Sequence, residues 1–197
     1  KNGEVQTLTA DSITRFTITG YETYDRHIVP VSMGEISFES LKEAIDTSFF
    51  IKAVFLKKMV TGDRVDLYSY TDEIKIRFYV LDKRQTLPFE LVYRKSLSDG
   101  REITQLLFRQ QLSRLALEYG ISDASFEESV SRATYSGKDI RNIISKINTI
   151  NETIISAGSR KNRKQAFFLG AGITGSTMNY TGKSIIMSDG LDDLGQF

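Results

Sequence analysis

Apolar and polar positions alternate with a period of two up to about residue 94, take helical spacing from about residue 101, and alternate again after residue 165. Three short runs open the chain, Glu4-Val-Gln-Thr-Leu-Thr9, Thr14-Arg-Phe-Thr-Ile18 and Asp25-Arg-His-Ile-Val-Pro-Val31. They are rich in β-branched residues and are split by Asp11-Ser12 and Gly20, which predicts strands. Pro30 lacks a backbone donor, so the third run is expected at a sheet edge or to end early. Residues 33–48 read as a loop with a short helix at Phe38, Leu41 and Ile45. Four further strands are predicted at 50–60, 64–70, 74–81 and 87–94. Thr61-Gly-Asp63 and Thr71-Asp-Glu73 are short enough for hairpins, giving an antiparallel meander. In that meander Val65, Leu67, Ile74, Ile76, Phe78 and Val80 fall on an apolar face. Asp66, Tyr68, Tyr70, Lys75, Arg77 and Tyr79 fall on a charged and aromatic one.

An apolar sheet face needs a cover. Phe108, Leu112, Leu115, Ala116 and Tyr119 form a helical stripe within residues 101–119, which Gly120 is placed to end. A second helix is signalled by the capping pattern Ser136-Gly-Lys-Asp139. Its stripe of Ile140, Ile143, Ile144, Ile147, Ile150 and Ile154 runs to Gly158 and reads as core rather than a cofactor site. The fold class expected is therefore α+β, an antiparallel meander covered by two helices over residues 1–157. A basic linker at 158–165 (Ser159-Arg-Lys-Asn-Arg-Lys-Gln165) follows, with a further strand-rich part from 166 to 197.

Composition narrows the chemistry. The 197 residues carry 26 Lys and Arg against 25 Asp and Glu, a net charge of +1 that gives no bulk reason to expect nucleic acid. The absence of cysteine excludes disulfides, thiol nucleophiles and thiolate metal sites, and a single histidine, His27, excludes a site needing two imidazoles. Acid–base or metal chemistry would fall to carboxylates such as Asp63, Asp66, Asp72 and Glu73. These sit at predicted hairpin ends, where turn formation also accounts for them. No catalytic residue, cofactor or metal ligand is assigned. The chain begins at Lys1 rather than Met and is expected to be a piece of a longer protein.

Gly170-x-Gly172-x-x-Gly175 after an apolar run matches the dinucleotide fingerprint, with Asp189 near the expected spacing. That motif needs a helix opening at its third glycine. Ser176-Thr-Met-Asn-Tyr-Thr-Gly182 offers no helical stripe, so a nucleotide site is not expected. Alternation fits better. Phe167, Leu169, Ala171 and Ile173 share one face and Phe168, Gly170, Gly172, Thr174 and Ser176 the other, the pattern of a transmembrane β-strand with a lipid-facing and a lumen-facing side. An ordinary amphipathic strand has the same pattern.

The order of parts carries a resemblance. Leu67-Tyr-Ser-Tyr70 after a Gly turn, Ile76-Arg-Phe-Tyr79, Leu91-Val-Tyr-Arg-Lys95 and Phe108-Arg-Gln-Gln-Leu112 resemble the N-terminal domain of a family of Bacteroidetes outer-membrane β-barrel proteins of the PorT-like class. The resemblance covers most of residues 4–180. It implies an α+β domain, a linker and a barrel of which the chain holds one strand, with Lys183-Ser-Ile-Ile-Met-Ser188 as a candidate second. It supplies no catalytic residues. The expectation is a noncatalytic cell-envelope protein in the outer membrane, its N-terminal domain periplasmic, with a binding or structural role. Tyr68, Tyr70, Lys75, Arg77 and Tyr79 would form its candidate binding face for an envelope protein or glycan, unless that face is solvated or covered by the first strands. No nucleic-acid partner is expected. The alternative is a soluble protein- or glycan-binding module with no membrane part, and a carboxylate enzyme or nucleotide-binding protein ranks below it.

Overall fold

Between residues 15 and 91 each strand pairs with its successor. The elements are β2 (Arg15–Ile18), β3 (Glu22–Ser32), β4 (Phe49–Thr61), β5 (Val65–Thr71), β6 (Ile76–Asp82) and β7 (Phe89–Leu91), following a short β1 (Thr7–Thr9). In the computed structural model they form a six-stranded antiparallel meander in the order β2-β3-β4-β5-β6-β7. The structure describes residues 13–148 in full, with the backbone of β1 and of three short strands, β10 (Thr153–Ile154), β11 (Thr177–Asn179) and β12 (Ile185–Ser188). β10 adds beside the end of β4, β12 beside β2, and β11 pairs with β1.

Both faces of the meander are buried. Val65 and Leu67 of β5, Phe78 and Val80 of β6 and Leu91 of β7 meet three helices, α1 (Leu107–Glu118), α2 (Ala124–Arg132) and α3 (Gly137–Ile147). Phe108, Leu112, Leu115 and Ala116 of α1 and Ile140, Ile143, Ile144 and Ile147 of α3 are buried there. Burial of each large side chain contributes about 1.5–3 kcal/mol, so the isoleucine row alone anchors α3. Ser136 caps α3 by accepting from the Asp139 amide, as the sequence pattern predicts, and Asp123 caps α2 through the Phe126 amide.

The opposite face closes on itself. Val54 and Leu56 of β4 alternate onto it, and a bulge between Lys58 and Val60 then shifts the phase so that Val60, opposite Leu67, turns to the helices. Val29 and Val31 of β3 pack with Val54, Leu56, Tyr68 and Tyr79 into a second core. β2 covers β3 only over Glu22–Asp25, so among the described residues no strand flanks the rest of β3 on that side, and the backbone groups of Pro30 and Ser32 meet side chains instead. Tyr79 donates to the Pro30 carbonyl (3.0 Å), Arg77 Nη2 to the Ser32 carbonyl (2.6 Å), and the Ser32 amide donates to Glu90 of β7 (3.0 Å). Pro30, with no N–H, occupies this locally uncovered edge.

Several expectations are corrected. Three helices pack on the sheet rather than two, because α2, with its Asp123 cap and buried Phe126 and Val130, is too short to show a long stripe. Helix α1 does not begin at Arg101: β8 (Arg94–Ser98) and β9 (Arg101–Gln105) form a separate hairpin. Asp99 (φ 50°) and Gly100 (φ 72°) make its turn, since an Asp-Gly pair tolerates two successive positive φ values. The strand expected over 87–94 accordingly shortens to β7. Helix α3 ends at Ile147, and Ile154 lies in β10 opposite Val60 rather than on the helical stripe. The 33–48 segment holds one 3-10 turn, Phe38–Ser40.

Candidate functional site

The polar face of the meander carries most of the chain's candidate chemistry, and the closure of β3 turns it inward. Tyr68 is 2 % exposed, Tyr79 and Arg77 0 % and Lys75 6 %, while Tyr70 is half-buried. The five residues do lie on one face, as alternation predicts, but four of them are inside the protein, beneath the first strands. Residues Phe167, Leu169, Ala171 and Ile173 lie outside the described residues.

Two polar clusters fill this interior. At one end the Tyr68 hydroxyl lies between two carboxylates, 3.1 Å from Asp25 Oδ2 and 3.4 Å from Asp66 Oδ2. Asp25 is also paired with Arg15 and with Lys58 (2.8 Å), and Asp66 with Lys83 (2.5 Å) and the Gly62 amide (3.2 Å). Burial, the largest influence on Asp25, favours its neutral form, but Arg15 and Lys58 outweigh it and hold the carboxyl below the usual carboxylate range. Burial, then Asp25 and Asp66, push the Tyr68 phenol up, so it stays a protonated donor. His27 packs edge-on against Tyr68 with ring centroids 5.3 Å apart, and its Nε2 is buried without a hydrogen-bond partner. Burial, the first cause, keeps that imidazole below its ordinary pKa.

At the other end Arg77 is a clamp. Its Nε and Nη2 donate to the Ser32 carbonyl and its Nη1 to Asp72 (2.8 Å) and the Lys75 carbonyl (3.2 Å). Asp72 in turn accepts from the Ile74 and Lys75 amides, which shapes the β5–β6 turn. Its burial alone would favour the neutral acid. Arg77 and the two amides reverse this, and the carboxyl is lowered. Lys75 donates to the Gly34 carbonyl (2.7 Å), and burial, followed by repulsion from Arg77, lowers its pKa.

Asp66 and Asp72 are therefore fixed by cations, hydroxyls and amides within the fold, while Asp63 and Glu73 are exposed at the turns. An acid–base pair needs a substrate within hydrogen-bond reach, and the buried carboxylates already hold structural partners there. Among the described residues no group of three or more His, Asp or Glu side chains is placed to hold a metal ion. A shallow groove of about 440 Å³ lies on the far side of the molecule between α2 and α3, lined by Ser129, Arg132, Asn142, Ser145 and Lys146 over Ile143. It does not join the polar face.

Sequence reasoning missed several contributors to the closed face, Asp25 and Lys58 beside Tyr68 among them. Gly34 acts through its backbone carbonyl, and Ser32 through its carbonyl and amide as well as its hydroxyl, backbone roles that side-chain identity does not reveal. Glu90 sits in a three-residue strand too short to show alternation, although a lone Glu between Phe89 and Leu91 was a usable signal. No protein-family model, no curated protein and no solved structure matches this chain.

Proposed function

We propose that this chain is part of a noncatalytic cell-envelope protein, in which an α+β domain precedes a small outer-membrane β-barrel and acts on the periplasmic side through its surface rather than through chemistry. The observation that carries the noncatalytic reading is the state of the polar face: Asp25, Asp66, Asp72 and Glu90 are all engaged in holding strands together. What supports the envelope location is the sequence after residue 165, where Phe167, Leu169, Ala171 and Ile173 alternate with small and polar residues, along with the resemblance of residues 67–112 to the barrel family's N-terminal domain. Tyr68, Lys75, Arg77 and Tyr79 serve here as the inner frame of the domain, with the half-buried Tyr70 at its margin. A glycan or protein partner would therefore meet the outer surface.

Expression of the complete gene followed by membrane fractionation tests the reading. The product is expected in the outer-membrane fraction and released only by detergent. Recovery in a soluble fraction would overturn it. Pairing of β11 with β1 and β12 with β2 favours a second reading, a soluble binding module whose last residues belong to its own sheet. Detergent-free solubility of the 197-residue chain with protease resistance through residue 176 is the result expected of that module.

A further inference from the structure

The N-terminal half of β4 offers an open strand edge. β5 pairs with β4 only from Lys57 onward, so among the described residues no strand lies beside residues 49–54 on that side. The phase of the β3–β4 ladder shows which backbone groups point there. The Arg26 amide donates to the Thr14 carbonyl and the Ser32 amide to Glu90, away from β4, so the even residues of β3 turn outward. Their partners Phe49, Ile51 and Ala53 must then direct their own N–H and C=O groups to the opposite edge. Phe49, Phe50 and Ile51 are 58, 59 and 62 % exposed, and neighbouring Ile28 is also exposed. An apolar edge of this length without Pro or a bulge is a template for strand addition.

We propose that this edge pairs with the same edge of a second copy of the chain, β4 against β4 in antiparallel register about Ile51. The edge is self-complementary. A two-fold axis at Ile51 places the Ile51 N–H and C=O opposite those of the second copy, closing two hydrogen bonds. It sets Phe49 across from Ala53, large against small, on the outer face. It sets Phe50 across from Lys52 on the other face, where Lys52 Nζ already lies 5.7 Å from the Phe50 ring centre within one chain. No carboxylate lies between residues 49 and 57, and the net charge of +1 leaves little repulsion between copies. The two meanders would join into one continuous sheet.

The chain has no cysteine, so one introduced thiol reports on one contact. In the 197-residue protein, Ile51→Cys is expected to form a disulfide-linked dimer under mild oxidation, because Cα atoms of a directly opposed hydrogen-bonded pair lie about 5.5 Å apart. Ile28→Cys, also exposed but on the neighbouring strand, is expected to form no disulfide-linked dimer. Sedimentation velocity should show a concentration-dependent dimer for the parent chain. Ile51→Pro removes only the outward donor and should weaken the dimer about tenfold or more with an unchanged circular dichroism spectrum. A monomeric parent chain, cross-linking at Ile28→Cys as strong as at Ile51→Cys, or a dimer unaffected by Ile51→Pro would each overturn the proposal.

Discussion

Arg77 shows how a charged residue on a strand becomes structural. It is fully buried, yet its donors reach Ser32 on β3 and Asp72 at the β5–β6 turn, so it joins two ends of the curled sheet. Removing one partner of such a pair leaves the other desolvated. Arg77→Met should therefore cost about 3 kcal/mol of unfolding free energy, read by chemical denaturation. His27 gives a pH dependence with a definite sign. It faces Arg15 from β2, Asp25 from its own strand, Lys58 from β4 and Asp66 and Tyr68 from β5, and burial keeps it neutral in the fold. As the pH falls below 6.5 the unfolded chain takes up the proton first. Stability is thus complete above pH 6.5 and declines below it, until the folded imidazole also titrates. The chain has one histidine, so denaturation at pH 7.5 and 5.5 should show a loss in the parent protein and a nearly flat response in His27→Gln. Asp82 acts in a lower window. The Arg84 hydrogen bond first, then Tyr119, bring it to about 2 against burial, so its contribution is present above pH 3.8 and is lost as the pH approaches 2.

At the scale of elements, α3 is tied to the sheet just past its last turn. Asn148 follows the helix and accepts from the Arg64 and Val65 amides while donating to the Val65 carbonyl, which fixes the β4–β5 turn from across the chain. Gly62 makes room for it, since a Cβ at that position would lie 2.1 Å from the Asn148 carboxamide. Gly62→Ala and Asn148→Ala should each cost about 2 kcal/mol, and the double variant should cost less than their sum, because both act on one contact. Thermal melts of the four proteins check this. The same elements show what can be read from a sequence. β2, β4, β5 and β6 follow from local alternation within two residues of expectation, β3 begins three residues before the expected Asp25, and the cap and first four isoleucines of α3 follow from spacing although the helix stops at Ile147. β7, β8 and β9 were misread as one strand followed by a helix, because a two-residue Asp-Gly turn lies inside a stretch whose polar residues suit either period.

For the whole molecule, the decisive fact is that the sheet has two insides. Period-two alternation assigned Tyr68, Tyr70, Lys75, Arg77 and Tyr79 correctly to one face. It carries no information on curvature, and curvature decides whether that face meets solvent or β3. The curl arises from the bulge at Lys58 and from contacts between residues 30–34 and 75–90, separations too long for local pattern to report. With the polar face closed, the proposed envelope role falls to the outer surface. The most direct test is electrophoresis of outer membranes carrying the complete gene product, with and without boiling. A folded barrel following this domain predicts a faster band that shifts on heating, since a closed barrel retains its hydrogen-bonded structure in detergent until heated. A product absent from the outer membrane, or present there with one mobility at both temperatures, would contradict it.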